Sequence, residues 1–392
     1  MSNSPKSDVV QYARELAHKI IIADGHIDVP MRLARTAAPD GSLTEDIAQS
    51  TDAGDFDYPR ARMGGLDAPF MSIYVPASFQ RSGGARAKAD ALIDQVESII
   101  AAAPDKFAAA TSVDAIVRNF QRGQISLPLG IENGAAIEDE LANLQHFFDR
   151  GVRYVTLTHS ENNLICDSSY STMRTWNGLS PFGRQCVDEM NRLGIMIDVS
   201  HVSDETFFQV AEQSAAPFIA SHSSCRHFTP GFERNMSDEM IARIADRRGI
   251  IMITFGSSFI SAESRACFGA RKAALAEYLQ RTGSHPDSDE AMAFVADHDR
   301  ANPKRFATVA QVADHIEHAI GIAGIDHVGL GSDFEGVGDS LPIGLKDVAG
   351  YPNLLAVLVE RGHTDADLEK ICSGNLFRVW REVESFASGQ LT

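Results

Sequence analysis

The stretch Gly194-Ile195-Met196-Ile197-Asp198-Val199-Ser200-His201-Val202-Ser203-Asp204-Glu205 carries the repeating unit of the whole chain. A nearly continuous apolar run stops at Ser200-His201. Two residues later Ser203-Asp204-Glu205 supplies a capping hydroxyl and an acidic first turn, which open a helix. An apolar run without alternation is what a strand buried on both faces of a parallel sheet requires. On its N-terminal side, residues 181–193 have helical spacing and close on Gly194. The unit is therefore helix, strand, polar turn, helix.

Reading outward, the same unit recurs. Short apolar runs occupy residues 19–23, 69–75, 125–130, 153–157, 194–199, 217–220, 249–254 and 327–330. Helical spacing lies between them at 87–103, 136–149, 181–193, 203–213, 237–248 and 308–323. Strands alternating with helices call for right-handed crossovers and a parallel sheet. Eight of them in one chain predict an α/β fold of the (β/α)8 TIM-like barrel type, a single catalytic domain over residues 1–392. Two stretches interrupt the beat and read as insertions: 32–65 after the first strand, and 261–306 between the seventh and eighth, the latter partly helical around 270–281.

The 392 residues include 35 Lys+Arg and 53 Asp+Glu, a formal charge of −18, with 44% hydrophobic and 22% charged residues. That balance suits a folded chain with a large core and excludes disorder. It also argues against nucleic acid or an anionic membrane as partner, because no dense basic run offsets the repulsion. A small-molecule partner is expected. Residues 1–11 lack the basic, apolar and small-residue order of a secretion signal, and no stretch is long enough to span a bilayer. The five cysteines are widely spaced and form no C-x-x-C pair, so they read as reduced thiols of a cytoplasmic protein.

In a parallel barrel the active site forms at the C-terminal strand ends. Just after the runs stand Asp24, His26 and Asp28, then Glu132, His159, His201, His222 and Asp333. Four of the 13 histidines fall in these windows, where chance would place about one. A single histidine at a strand end is ordinarily a hydrogen-bonded structural residue. The convergent set is different, since a barrel mouth filled with uncompensated charge is costly without a cation. Imidazole and carboxylate donors suit divalent zinc or manganese. His26 and Asp28, two apart in extended chain, point to the same side and can chelate one ion. Glu132 has two oxygens and can bridge to a second ion completed by His201 and His222, and such a pair would polarise a carbonyl and hold a hydroxide. Asp333 is the candidate general acid/base. Arg234 offers a planar fork for a substrate carboxylate.

These positions sit in a series of motifs: Asp24-Gly25-His26-Ile27-Asp28, Gly130-Ile131-Glu132-Asn133-Gly134, Leu157-Thr158-His159-Ser160, Gly178-Leu179-Ser180-Pro181-Phe182-Gly183, Asp198-Val199-Ser200-His201-Val202-Ser203, Ser221-His222-Ser223-Ser224, Arg234-Asn235 and Gly331-Ser332-Asp333-Phe334. Together, and in this order, they resemble the membrane (renal) dipeptidase family of the amidohydrolase superfamily. The resemblance implies a zinc dipeptidase with two Zn2+ per subunit, bridged by Glu132 and a hydroxide. It implies that His26 and Asp28 bind one zinc and His201 and His222 the other. It further implies that His159 contacts the substrate carbonyl or its tetrahedral intermediate, Arg234 holds the C-terminal carboxylate, and Asp333 shuttles the proton. Dipeptides, including the L-Xaa-D-Xaa kind, are the implied substrates, and a homodimer the implied assembly.

The chain departs from mammalian members in three places. Asn133-Gly134-Ala135 replaces a Gly-Gly-His after the bridging glutamate, Glu161 replaces a cysteine, and the 261–306 insertion is much longer. Other readings of the residues are a lactonase, phosphotriesterase, deacylase or deaminase, or a barrel that binds peptide without turnover. Lactonase and phosphotriesterase barrels typically bridge their metals through a carboxylated lysine at the fourth strand, and 153–159 contains no lysine. Deaminases favour His-x-His after the first strand, where this chain has His-x-Asp.

Overall fold

The computed structural model describes residues 5–38 and 41–389. Ten strands occur among them: β1 (Ile22–Ile27), β2 (Leu66–Tyr74), β3 (Phe107–Ala109), β4 (Ile125–Leu127), β5 (Leu129–Glu132), β6 (Val152–Thr156), β7 (Met196–Asp198), β8 (Ile219–Ser223), β9 (Ile250–Ile253) and β10 (Val328–Leu330). Eight form one parallel sheet in the order β1-β2-β5-β6-β7-β8-β9-β10, and β3 pairs with β4 in a separate parallel pair. Chain order and sheet order agree along the barrel, as right-handed crossovers through outer helices require. This is the (β/α)8 TIM-like barrel that the alternation predicts.

The seam between β1 and β10 is laced rather than fully paired. Asp333 donates its backbone N–H to the carbonyl of His26 at 3.0 Å, and Asp28 donates to that of Phe334 at 2.9 Å. Asp24, wholly buried, accepts from the backbone N–H of Ser332 at 3.0 Å and from the hydroxyl of Tyr351 at 2.5 Å. Inside the barrel Ala23, Phe70, Tyr154, Met196, Ile219 and Met252 share one apolar cluster with Trp380, from the helix Asn375–Ala387. The Phe70 and Trp380 rings lie 5.3 Å apart. Gly130 is required where β5 meets this layer, since a Cβ there would stand 2.0 Å from the Tyr154 ring.

Three expectations about elements need correction. The run 125–130 is not one strand: Pro128, lacking an N–H, separates β4, which pairs with β3, from β5, which enters the barrel. The first strand is Ile22–Ile27 rather than 19–23, so Asp24 and His26 lie inside it, as His222 lies inside β8. Polar residues can occupy these strands because each finds a buried polar partner near the mouth. The segment 136–149 divides into a 3-10 turn, Gly134–Ile137, and a helix, Ala142–Asp149.

The insertions are more regular than expected. Residues 261–306 hold two helices, Ala262–Thr282 and Asp289–Ala301, capped by Ser261 and Ser288 and joined by the stacked rings of Tyr278 and Phe294 at 4.3 Å. In 32–65 the helix Tyr58–Gly64 is capped by Asp57, and the loop before it is tied to the turn after the neighbouring strand β10. There the Glu335 carboxylate accepts the N–H groups of Asp55 and Phe56 at 2.8 and 2.9 Å and pairs with Arg32 at 3.1 Å. All five cysteines are free thiols. No helix among the described residues is long and apolar enough to cross a membrane.

Candidate metal centre

Six of the eight barrel strands deliver pieces of the site. β1 brings His26 and, one residue beyond its end, Asp28; β5 ends on Glu132; the turn after β6 holds His159; the turn after β7 holds His201; β8 contains His222; and the turn after β10 holds Asp333. All seven side chains converge, and all but His159 are buried. Glu132 sits at the centre. Its Oε1 lies 3.1 Å from Nε2 of His201, 3.4 Å from that of His159 and 3.5 Å from that of His222. Its Oε2 lies 3.4 Å from Nε2 of His26, which in turn is 3.5 Å from Oδ2 of Asp28.

The local backbone is bent to serve this arrangement. His201 and Asp333 both have positive φ, 70° and 64°, a conformation that costs a non-glycine residue stability and is concentrated at functional sites. Gly336 faces the pair Asp28 and Asp333: a Cβ on it would lie 2.1 Å from Oδ1 of Asp333 and 2.3 Å from Oδ2 of Asp28. The two carboxylates fill the space a side chain would take.

A layer of partners orients the candidate ligands, and sequence reasoning missed most of it. The Tyr154 hydroxyl is 2.8 Å from Nδ1 of His26, and the Ser221 hydroxyl 2.8 Å from Nδ1 of His222, which leaves both Nε2 atoms facing the centre. Asp198, buried, accepts from the N–H groups of Ser200 and Ser221 and from the hydroxyls of Thr156 and Ser221, fixing the turns that carry His201 and His222. Ser72 donates to Oε2 of Glu132 at 3.2 Å. Such partners hold tautomer and ring orientation in metal sites. Asp24 belongs to this layer too: it accepts the N–H of His26 at 2.9 Å and clasps the seam. Polar groups inside the strand runs, Tyr154, Thr156 and Asp198, were the available signals.

Electrostatics separate the groups. Burial would raise Glu132, but charge on His26 and His159 and hydrogen bonds from His201 and His222 hold it well below the usual carboxylate range. Burial pushes His201 and His222 well below the ordinary imidazole value, with Arg234 and His26 respectively adding to the effect. For His26 burial acts downward, yet Tyr154, Glu132 and Asp28 outweigh it and raise the ring. Burial and then the Asp28 carboxylate push Asp333 well above the usual range.

The donors fit a cation. Nε2 of His26 and Oδ1 of Asp28 are buried and make no hydrogen bond. Three donor groups, His26/Glu132/His222, Glu132/His159/His201 and His26/Asp28/Asp333, each have ligand atoms within 4.8 Å of one another. Nitrogen and carboxylate donors of this kind suit zinc or another borderline divalent ion. Arg234 stands just behind them, giving its two terminal nitrogens to Oγ of Ser223 at 2.9 Å and the carbonyl of His222 at 2.7 Å; its Nε is buried and unpartnered.

Above the ligands opens a cleft of about 420 Å3, walled by Met31, Tyr74, Tyr170, Phe259, Val337 and Phe268, the last from the 261–306 hairpin. Glu161, at the position of the absent cysteine, pairs with Arg81 on the surface. Asn133 is turned away from the centre, donating to the carbonyl of Val75 at 2.9 Å.

A parallel barrel whose mouth gathers histidines and carboxylates around one shared glutamate defines the class: a metal-dependent hydrolase. The comparisons then give the family. The profile of the membrane dipeptidase family (peptidase family M19) matches residues 10–391. The chain is 34% identical to the dipeptidase tcpJ of Claviceps purpurea over 375 residues, 94% of this chain and 78% of the other. Among solved structures it resembles the probable dipeptidase PvdM from Pseudomonas aeruginosa, with TM-score 0.82, 27% identity and coverage of 98% and 100% of the two chains. A metallo peptidase from Rhodobacter sphaeroides, liganded with a phosphinate mimic of the dipeptide L-Ala-D-Ala, matches with TM-score 0.75, 26% identity and coverage of 93% and 99%. The chain belongs to the membrane dipeptidase family, peptidase family M19, and is a metallodipeptidase.

Proposed function

We propose that the protein hydrolyses dipeptides, including those of the L-Xaa-D-Xaa kind, with two zinc ions held by His26 and Asp28 on one side and His201 and His222 on the other, Glu132 bridging. The observation that carries this reading is the split of Glu132: its two oxygens face different histidines, with 3.4 Å from Oε2 to His26 and 3.1 Å from Oε1 to His201. Ions bound there would supply Lewis acidity toward the scissile carbonyl and an activated water. The protein's own groups do the rest. Nε of Arg234, buried and without a partner, attracts the substrate's terminal carboxylate. His159, half turned to the cleft, hydrogen-bonds the carbonyl oxygen as charge grows on it. Asp333, beside Asp28 and open to the cleft, takes a proton from the attacking water and returns it to the leaving nitrogen. The stereochemical preference draws on the ligand of the Rhodobacter sphaeroides enzyme, a mimic of L-Ala-D-Ala.

Metal analysis joined to a panel of L-Xaa-L-Xaa and L-Xaa-D-Xaa dipeptides tests the proposal. Two zinc ions per chain and cleavage of L-D substrates among those hydrolysed are the expected result. One ion per chain, or no cleavage of any L-D substrate, would refute the corresponding part.

A further inference from the structure

We propose a further metal site, unconnected with catalysis, on the outer wall of the barrel at His227, Asp238 and His318. The three residues come from separate elements: the 3-10 turn Arg226–Phe228 after β8, the first residue of the helix Asp238–Asp246, and the helix Val309–Ala323. Their ligand atoms lie within 4.8 Å of one another. Nε2 of His318 is 2.8 Å from Oδ1 of Asp238, and the rings of His227 and His318 stack at 4.4 Å with 25° between their planes. Phe228 meets both rings edge-on, at 4.9 and 5.4 Å, and so fixes the orientation of each imidazole. His315, one turn earlier on the same helix, takes no part: its Nε2 meets the carbonyl of Ile260 and its Nδ1 accepts the N–H of Cys225.

Two imidazoles and one carboxylate are the donors of a borderline divalent ion such as Zn2+, whereas Ca2+ or Mg2+ would call for oxygen ligands throughout. Zinc holds nitrogen ligands at about 2.0–2.1 Å, so the three side chains must shift to centre an ion among them. His227 and Asp238 are exposed, so water can fill the remaining position. An occupied site would tie the segment between β8 and residue 238, which carries Arg234, to the helix Val309–Ala323.

Equilibrium dialysis of the metal-loaded enzyme against Zn2+ tests this. Wild type is expected to take up one equivalent more than H227A/H318A, and to gain in melting temperature with added Zn2+ where the double variant does not. D238N, nearly isosteric, should weaken the same uptake and guards against misfolding of the double variant. Equal uptake by wild type and both variants, or no uptake beyond the catalytic complement, would overturn the proposal.

Discussion

Nε2 of His201 and Nε2 of His222 face each other at 2.7 Å, with Oε1 of Glu132 3.1 Å from the first and 3.5 Å from the second. One proton shared between the two nitrogens leaves the carboxylate beside them unanswered, whereas a dication answers both nitrogens and the carboxylate together. His201→Ala and Glu132→Ala should therefore lose bound metal and activity in parallel, by more than the roughly 100-fold that loss of a supporting partner costs. Metal content and dipeptide hydrolysis, measured on one preparation, check this; full metal retention in either variant would count against ligation.

Asp333→Asn should separate binding from chemistry. Asparagine has nearly the same shape and tolerates the positive φ of 64° at this position. Metal content is expected to stay at the wild-type level while kcat falls by about 10²–10⁴, the range for loss of a general acid/base. Turnover close to wild type would remove Asp333 from the proton path.

Gly336→Ala should injure the site with no change to any ligand. The new methyl would collide with Asp333 and Asp28 at 2.1 and 2.3 Å, and both carboxylates must retreat. A displacement of that order costs about 10²-fold in rate. Steady-state kinetics beside a melting curve distinguish this from general destabilisation.

Tyr154→Phe removes the hydroxyl that orients His26 from within the barrel, 2.8 Å from Nδ1. Metal affinity is expected to drop about 10–100-fold, with a stability change on the order of 1 kcal/mol. Titration of metal-stripped enzyme with zinc reads the affinity directly.

Asp67 makes stability depend on pH at the opposite end of the strands from the candidate metal centre. Burial pushes its carboxyl up to about 7, with the N–H of Ile22 at 3.1 Å and Arg62 opposing only in part. The folded chain thus holds a proton that the unfolded chain releases near pH 4. Between these values stability falls as pH rises, and the full penalty is present above about 7. Asp67→Asn should melt higher than wild type at pH 8, by an amount worth a few kcal/mol at most, with the gap closing as pH falls toward 4. A gap independent of pH would exclude ionisation of Asp67 as its cause.

Much of this was legible in the sequence because the barrel repeats one local rule. Capping at Ser203 and Ser237 occurs where the sequence predicts it, and Thr308 caps its helix likewise, each hydroxyl accepting the N–H three residues on. The residues proposed as ligands were visible because polar groups stand out at the ends of apolar runs. Strand limits at β1 and β8 were not, since Asp24, His26 and His222 look like terminators until their buried partners are known. Pro128 divides what hydrophobicity alone joins. Tyr154 meets His26, Asp198 meets Thr156 and Ser221, and Gly336 faces Asp28, and no periodicity records such contacts.

The lacing of Asp24 to Ser332, and of His26 to Asp333, also bears on how the protein is made. A ribosome delivers His26 some three hundred residues before Asp333, and during that interval β1 has no neighbour on its open side. The mouth can take its final shape only after β10 has emerged and closed the ring. Peptide-cleaving chemistry is therefore withheld from the growing chain until β10 and the turn after it have been made.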